Sequence, residues 1–400
     1  MPWGSAFGRA WNAATEAGRA AAQATARGVG RAWTATKETA SQAASWAEQK
    51  AREAARDKMR GVADGAFDGL AKPAEAGRRG VAGAKKGAAA VQSGYNRVKQ
   101  VFTGKPAGSP VQPCPGTTAT PGNDPAKDGW VIAPQGKGKP CLTYPPPPKQ
   151  AMAQARAKAV VPQSDCCARQ RAGKPPRDII YVNGIKTTAQ THCDTLNAIA
   201  AQTCGRVVGV YNATDGGMLD AAQTGQDRRL IKAAHAGKGV PAGDGRNPAV
   251  DTLSRTISDE LRAGRKPEIW AHSQGGAVTS LALLDAKNER IAATRNPDPL
   301  RGMTVKSMGS AAPAWTDGPN YEHFIQVNDA TPSLFGLGHS PAGDAANAGR
   351  GAVVHRFAGP EKGPFQTVSP RLDWKPEMTA NHDVEKTYLA MEKQVHGGCS

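Results

Sequence analysis

The chain has 400 residues, and its 46 glycines, 30 prolines and aromatic content of only 5% indicate one domain with a full core beside regions that bury little. The formal net charge of +17 arises mainly in roughly the first hundred residues, where Lys and Arg outnumber the acids. Such a segment can meet nucleic acid, an anionic membrane or an acidic protein, and it can equally be a solvated helical face. No run approaches the ~18 apolar residues of a membrane span, and the N-terminus lacks the apolar stretch of a cleaved signal peptide.

Two regions are expected to precede the main domain. Residues 1–103 are predicted to form basic, Ala-rich helices, since Ala, Arg, Lys, Glu and Gln favour helix and no proline lies between Pro2 and Pro73. These helices carry few large apolar side chains, so they should pair as a hairpin, dock on a partner or remain loosely held. Residues 104–175 are rich in Pro, Gly, Thr and Lys and are predicted to be a linker or irregular cover, with one short helix over Lys149–Val160.

Residues 176–400 are predicted to form an α/β domain with a doubly wound, mostly parallel sheet. Short apolar runs typical of buried parallel strands alternate there with helical stretches, one of them from about Pro248 to Ala263 and one directly after Ser273. The predicted strands are Asp178–Val182, Arg206–Tyr211, Glu268–Ala271, Met303–Met308, His323–Val327 and Ala352–Phe357.

The seven cysteines show neither C-x-x-C spacing nor a neighbouring His cluster, so no metal or other cofactor is implied. Cys114 and Cys141 bracket a proline-rich loop, and Cys193 and Cys204 lie about one helix apart. Either pair could bridge in an oxidising compartment, or the thiols could be free and buried.

The sharpest motif is A-H-S-Q-G-G over residues 271–276, between the apolar strand E-I-W-A and the helix A-V-T-S-L-A-L-L. A serine on a tight turn from strand to helix needs small residues two positions either side, and Ala271 and Gly275 meet that need. The helix that begins behind Ser273 presents free backbone N–H groups to developing negative charge. The pattern predicts a nucleophile elbow with Ser273 as the nucleophile.

Over about residues 176–395 the chain thereby resembles the α/β-hydrolase superfamily, in particular its bacterial lipases and esterases. The resemblance implies a catalytic triad in the chain order serine, acid, histidine. For the acid we predict Asp329, which follows the strand F-I-Q-V-N at the carboxyl edge of the sheet. Asp317 and Asp344 are alternatives for the acid, and the alternative role for Asp329 is to cap a turn.

For the base we predict His382, which lies in the segment T-A-N-H-D-V-E-K and follows the acid in the chain. A histidine there can take the serine proton on one ring nitrogen while the acid holds the other. His339 and His355 are the alternatives, although His355 falls within a predicted strand. His272, beside the serine, is expected to be part of the scaffold.

The oxyanion hole of such a site needs two backbone N–H groups. Gln274, directly after the nucleophile, should supply one of them, and Gly184 or Ile185, in the N-G-I turn after the first strand, should supply the other. An ordinary turn is the alternative for Asn183-Gly184. The polar excursion over residues 211–245 is long enough to act as a lid over the cleft.

A basic helical N-terminus, a Pro-rich join and a lipase-like C-terminal half also resemble the lipase effectors of the bacterial type VI secretion system. This resemblance implies a phospholipase that is made in the bacterial cytoplasm without a signal peptide and delivered to the periplasm or membrane of a target cell. It further implies peripheral contact with lipid, a secretion partner for the N-terminal helices and an immunity protein in the producing cell.

Two other functions stay open. The C-terminal half can be a binding module that keeps this fold without turnover. The basic region can bind nucleic acid, although its few aromatic residues lack the spacing of a stacking platform, so nucleic acid is not the expected partner.

Overall fold

The computed structural model describes residues 125–213, 217–237, 247–327, 329–338, 341–357 and 382–399. These residues form an α/β fold around a mostly parallel sheet of eight strands in the order β2-β1-β4-β3-β5-β6-β7-β8. The strands are β1 (Val131–Ala133), β2 (Leu142–Tyr144), β3 (Asp178–Val182), β4 (Arg206–Val210), β5 (Glu268–His272), β6 (Thr304–Met308), β7 (Asn320–Gln326) and β8 (Val353–Phe357).

All six strands predicted from the sequence are confirmed, with ends that differ by at most three residues. Each of these strands pairs in parallel with its neighbours among them, while β1 runs antiparallel to both β2 and β4. The carboxyl ends of the six parallel strands therefore lie along one edge of the sheet, where folds of this class carry their functional side chains.

Helices cover both faces of the sheet, as predicted. A short 3₁₀ turn, Pro125–Lys127, precedes the first strand, and a π-helical turn, Val384–Leu389, leads into the last helix. The helices are α1 (Pro148–Lys158), α2 (Asp165–Arg171), α3 (Ala189–Thr203), α4 (Gly217–His235), α5 (Pro248–Arg262), α6 (Gln274–Thr294), α7 (Ala330–Phe335), α8 (Pro341–Asn347) and α9 (Ala390–His396).

The central strand β3 shows why its apolar run is continuous: its side chains alternate between two cores. Ile180 and Val182 pack with α1, α5 and α6 on one face. Ile179 and Tyr181 pack with α3 and the C-terminal helix on the other. A strand that is buried on both faces has no solvent-facing positions for polar residues, so it reads as apolar throughout.

The predicted linker over residues 104–175 needs correction, because its described part belongs to the domain. Strands β1 and β2 extend the sheet beyond β4, and α1 packs its buried Ala151, Met152 and Ala155 into the core. The short helix expected over Lys149–Val160 is confirmed as α1. Residues 104–124 and the helices predicted for residues 1–103 lie outside the described residues.

Three disulfides join the described cysteines: Cys141–Cys193, Cys166–Cys399 and Cys167–Cys204. Both pairings considered from the sequence were wrong for these residues, since Cys141 bonds to Cys193 and Cys204 bonds to Cys167. Their proximity depends on tertiary packing, which brings the edge strands and α2 against α3. Cys114 lies outside the described residues.

Within the described part of the chain, no helix combines the length and the hydropathy needed to cross a membrane.

Candidate active site

Ser273 occupies a strained turn between β5 and α6. Its backbone has φ 57° and ψ −125°, a combination that residues with side chains rarely adopt. The turn is held on both sides, because the Ser273 N–H donates to the carbonyl oxygen of Met308 (3.1 Å) and its own carbonyl accepts from the N–H of Ala311 (2.9 Å). A Cβ added to Gly275 would lie 2.3 Å from the carbonyl oxygen of Val182, which explains why glycine is needed there.

The structure brings the predicted serine, histidine and aspartate into one hydrogen-bonded chain. His382 Nε2 lies 2.8 Å from Ser273 Oγ, and His382 Nδ1 lies 2.6 Å from Asp329 Oδ2. Ser273 and Asp329 are 5% and 1% exposed, and the side chain of His382 is 22% exposed. Solvent can therefore reach the imidazole, whereas the carboxylate is shielded.

Asp329 makes the contacts that both interpretations of its sequence context require. Its Oδ1 accepts from the N–H of Thr331 (2.8 Å) and caps α7, while its Oδ2 accepts from His382. The cap orients the carboxylate, because it fixes one oxygen and leaves the other aimed at the imidazole.

The two alternative acids have other hydrogen-bond partners. Asp317 accepts from the backbone N–H of Arg350 (2.8 Å), and Asp344 accepts from the backbone N–H of Gly338 (2.8 Å). His355 lies in β8, as expected. His339 lies outside the described residues.

His272 supports the site from behind. Its Nε2 donates to the backbone carbonyl of His382 (2.9 Å), and the two imidazole rings lie 4.6 Å apart. Burial, with a smaller contribution from His382, holds the pKa of His272 well below its usual range. This neutral imidazole fixes the main chain of His382, which agrees with the scaffold role predicted for it.

Tyr388 is a member of the site that the sequence did not reveal. Its hydroxyl donates to Asp329 Oδ2, the same oxygen that accepts from His382. Burial first, and then the charge of Asp329, raise the pKa of the Tyr388 hydroxyl well above its usual range, so it stays a donor. Gly309 makes room for it, because a Cβ there would lie 2.6 Å from the hydroxyl oxygen. A tyrosine six residues after His382 is the one signal that the sequence contains.

The loop predicted to supply an oxyanion donor passes directly beside the serine. A Cβ added to Gly184 would lie 2.4 Å from Ser273 Cβ and 2.9 Å from Ser273 Oγ, so only glycine allows the backbone this close. Ile185 follows in the same loop, half-buried, and Gln274 begins α6 on the other side of Ser273. The structure thus brings all three predicted residues to the nucleophile.

A buried polar network fixes the backbone of this loop. Asn183 donates through Nδ2 to the carbonyl oxygens of Gly184 (2.9 Å) and Asn212 (2.7 Å). Asn212 Nδ2 in turn donates to Gln274 Oε1 (3.0 Å), and Gln274 Nε2 donates to Asp227 Oδ2 (3.1 Å). Buried side-chain amides with both ends bonded hold the loop, the serine turn and α4 in one arrangement.

The excursion over residues 211–245, predicted as a polar lid loop, is mainly helical where it is described, forming α4. Besides the Asp227 contact, Arg228 Nε donates to the carbonyl oxygen of Phe335 (2.9 Å), and Ile231 is buried in the core. Helix α4 is therefore anchored against the domain, and a lid function for it stays a prediction.

Side chains that could together hold a metal ion occur at two places in the described residues, and neither is the Ser273 site. One comprises disulfide-bonded cysteines, Cys167, Cys204 and Cys399, which are not free to ligate. The other comprises Glu322, His355 and His396.

A comparison of the chain with models of known protein families gave no match. A search of curated proteins found no significantly similar sequence either.

Proposed function

We propose that this protein is a serine ester hydrolase of the α/β-hydrolase fold, with Ser273 as nucleophile, His382 as general base and Asp329 as the group that orients it. One observation carries the proposal, namely the unbroken chain from Ser273 Oγ through both nitrogens of His382 to the buried carboxylate of Asp329. The sequence order and the turn geometry of Ser273 support the same assignment.

In the acylation step, Ser273 Oγ attacks the ester carbonyl carbon while His382 Nε2 accepts the hydroxyl proton. The backbone N–H of Gln274, with that of Gly184 or Ile185, stabilises the oxyanion of the tetrahedral intermediate. His382 then gives the proton to the leaving alkoxide, which departs as an alcohol and leaves an acyl-serine. Water attacks this ester with His382 again as base, and the acid product leaves with Ser273 restored.

The surroundings of Asp329 suit this cycle. The imidazolium that forms in each step lies 2.6 Å from a carboxylate that is almost fully buried, where the attraction between opposite charges is weakly screened. The Tyr388 hydroxyl and the Thr331 N–H keep that carboxylate hydrogen-bonded and fixed throughout the cycle.

For the substrate we propose membrane glycerophospholipids, and for the biological role a secreted antibacterial lipase. The three disulfides in the described domain favour a protein that functions in an oxidising compartment, such as the periplasm of a target cell. The net charge of +17 favours approach to anionic lipid, by about 1 kcal/mol for each suitably placed Lys or Arg. Under this proposal the N-terminal region contacts the secretion machinery and an immunity protein protects the producing cell.

The test of the chemistry compares the parent protein with Ser273→Ala in hydrolysis of p-nitrophenyl esters and in labelling by a fluorophosphonate probe. We expect the substitution to abolish labelling and to lower kcat by several powers of ten. Ser254→Ala is the matched control, because Ser254 lies on α5 and donates only to the carbonyl of Asp251 among described residues. An unlabelled parent protein would favour the non-catalytic binding module, and full activity in Ser273→Ala would reject the assignment.

The test of the substrate uses vesicles of phosphatidylethanolamine and phosphatidylglycerol beside the short esters. Release of fatty acid from the vesicles supports the phospholipase proposal, whereas activity confined to short esters contradicts it. Retention on immobilised DNA that falls steeply with salt, without any ester hydrolysis, would instead favour the nucleic-acid alternative.

A further inference from the structure

Three side chains with metal-binding donors converge near the start of β7, away from Asp329, which follows the end of the same strand. Glu322 lies on β7, His355 on the neighbouring edge strand β8, and His396 at the end of α9. Glu322 Oε2 lies 2.5 Å from His396 Nε2 and 3.6 Å from His355 Nε2. All three donor atoms lie within 4.8 Å of one another.

One ring nitrogen of His355 is available to a ligand. Its Nε2 is shielded from solvent and makes no hydrogen bond to any described residue. A shielded ring nitrogen normally has a partner, because leaving a buried polar atom without one destabilises the fold. A ligand held between His355 and Glu322 would supply the partner.

The rings are held in position by an aromatic side chain between them. Phe324, two residues after Glu322 on β7, stacks on the ring of His355 at 4.8 Å and meets the ring of His396 edge-on at 6.3 Å. The two imidazoles themselves stand nearly perpendicular, 6.4 Å apart at 84°. Both rings can thus direct a nitrogen toward the same carboxylate oxygen without stacking on each other.

We propose that Glu322, His355 and His396 form a binding site for a borderline divalent transition metal, with Zn²⁺ the best fit. Two imidazole nitrogens and one carboxylate oxygen are a donor set that zinc accepts, with water in a fourth position. Tetrahedral coordination with ligand distances of about 2.0 to 2.1 Å separates donor atoms by roughly 3.3 Å. The present separations bracket that value, so small rotations of His396 and Glu322 suffice to admit the ion.

The site would tie the C-terminal helix to the edge of the sheet. The π-helical turn that carries Tyr388 continues directly into α9 and His396, and Cys399 beyond it is bonded to Cys166. A metal ion that bridges α9 to β7 and β8 would therefore stabilise the segment that follows His382. Its role is structural, and it takes no part in the ester chemistry.

The experiment titrates Zn²⁺ into the full-length, metal-free protein with Cys114→Ser as background, so that the seventh cysteine cannot ligate the ion. We expect one ion per chain, micromolar affinity by calorimetry, and a rise in Tm of about 5 °C at a hundredfold excess over Kd. Co²⁺ at the same site should give the visible absorption band of a tetrahedral complex, a readout that needs no variant.

His355→Gln, His396→Gln and Glu322→Gln should each weaken binding at least tenfold. His235→Gln is the matched control, since His235 lies at the end of α4 and outside this cluster, and it should bind as the parent does. Unchanged affinity in the three cluster variants would overturn the proposal. Loss of binding in His382→Gln instead would place the ion at the Ser273 site, and absence of binding at millimolar Zn²⁺ would leave Glu322 and His396 as an ordinary ion pair.

Discussion

Removal of the Tyr388 hydroxyl is the most informative single change at the Ser273 site. Tyr388→Phe keeps the aromatic ring in the core and deletes only the donor to Asp329 Oδ2. A hydrogen bond to a charged group contributes about 1.5 to 3 kcal/mol. Because Asp329 keeps its bonds to Thr331 and His382, we expect a loss of about 1 to 2 kcal/mol in transition-state stabilisation, which is roughly 5- to 30-fold in kcat/KM.

The pH dependence separates positioning from mere structural support. Without the Tyr388 hydroxyl, more of the negative charge of Asp329 faces the imidazole of His382. This charge favours the protonated form of the imidazole. The acid limb of kcat/KM should therefore move to higher pH in Tyr388→Phe, whereas a change that only loosens the fold would leave the limb in place. Stopped ester assays between pH 5 and pH 9 measure this directly.

Two further variants test the role of Tyr388. Tyr144→Phe is the control, since Tyr144 lies on the edge strand β2, half-buried and far along the sheet from β7. It should match the parent in rate and pH profile. If Tyr388→Phe also matched the parent, or if it lost as much activity as Asp329→Asn, the view that the hydroxyl acts through Asp329 would be refuted.

Three other predictions concern the loop beside the serine, acid stability and the disulfides. Gly184→Ala should lower kcat at least a hundredfold and change substrate binding little, because the added Cβ would lie 2.4 Å from Ser273 Cβ and must displace the loop. Steady-state kinetics measure this effect. An unchanged kcat would exclude the loop from the site. Acid should destabilise the fold, because burial lowers the pKa of His192 to about 3 and the pKa of His323 to about 4. In the unfolded chain both histidines are protonated near pH 6.5, whereas in the folded chain they stay neutral. The free energy of unfolding should therefore fall by roughly 4 kcal/mol between pH 7 and pH 5. Urea titrations of His192→Leu should show about half of that fall. Reduction of the three described disulfides, which span 52, 233 and 37 residues, should cost about 2 to 4 kcal/mol each, and a Tm that is indifferent to reductant would contradict this.

The parallel strands and the tight turn at Ser273 could be predicted because their signals are local. Runs such as D-I-I-Y-V are apolar throughout because both faces of the sheet are covered, and no other part of the chain repeats that pattern with helices between. The turn at Ser273 demands small neighbours for a steric reason, which Gly275 meets against the carbonyl of Val182. The acid and the base were then found by their order along the chain.

The parts that the sequence did not reveal all depend on contacts between distant residues. Strands β1 and β2 have three residues each and lie among prolines and glycines, so only the pairing of β1 with β4, and of β2 with β1, makes them strands. The Cys141–Cys193 bridge follows from that same pairing, which carries the edge strand over α3. Tyr388 reaches Asp329 across 59 residues of chain, and no periodicity records such a contact.

The strained conformation of Ser273 is sustained because hydrogen bonds to neighbouring residues fix each group around it. The serine turn is held by the backbone of Met308 and Ala311, and His382 is held through its own carbonyl by His272. The loop that carries Gly184 is held by the side-chain amide of Asn183. A site whose dipoles are fixed before substrate arrives needs little reorganisation as charge develops, which is the main way in which proteins stabilise an oxyanion. The stability of the sheet and helices behind the serine offsets the strain. Substitutions at the supporting residues should therefore lower activity, although these residues do not contact the reacting atoms.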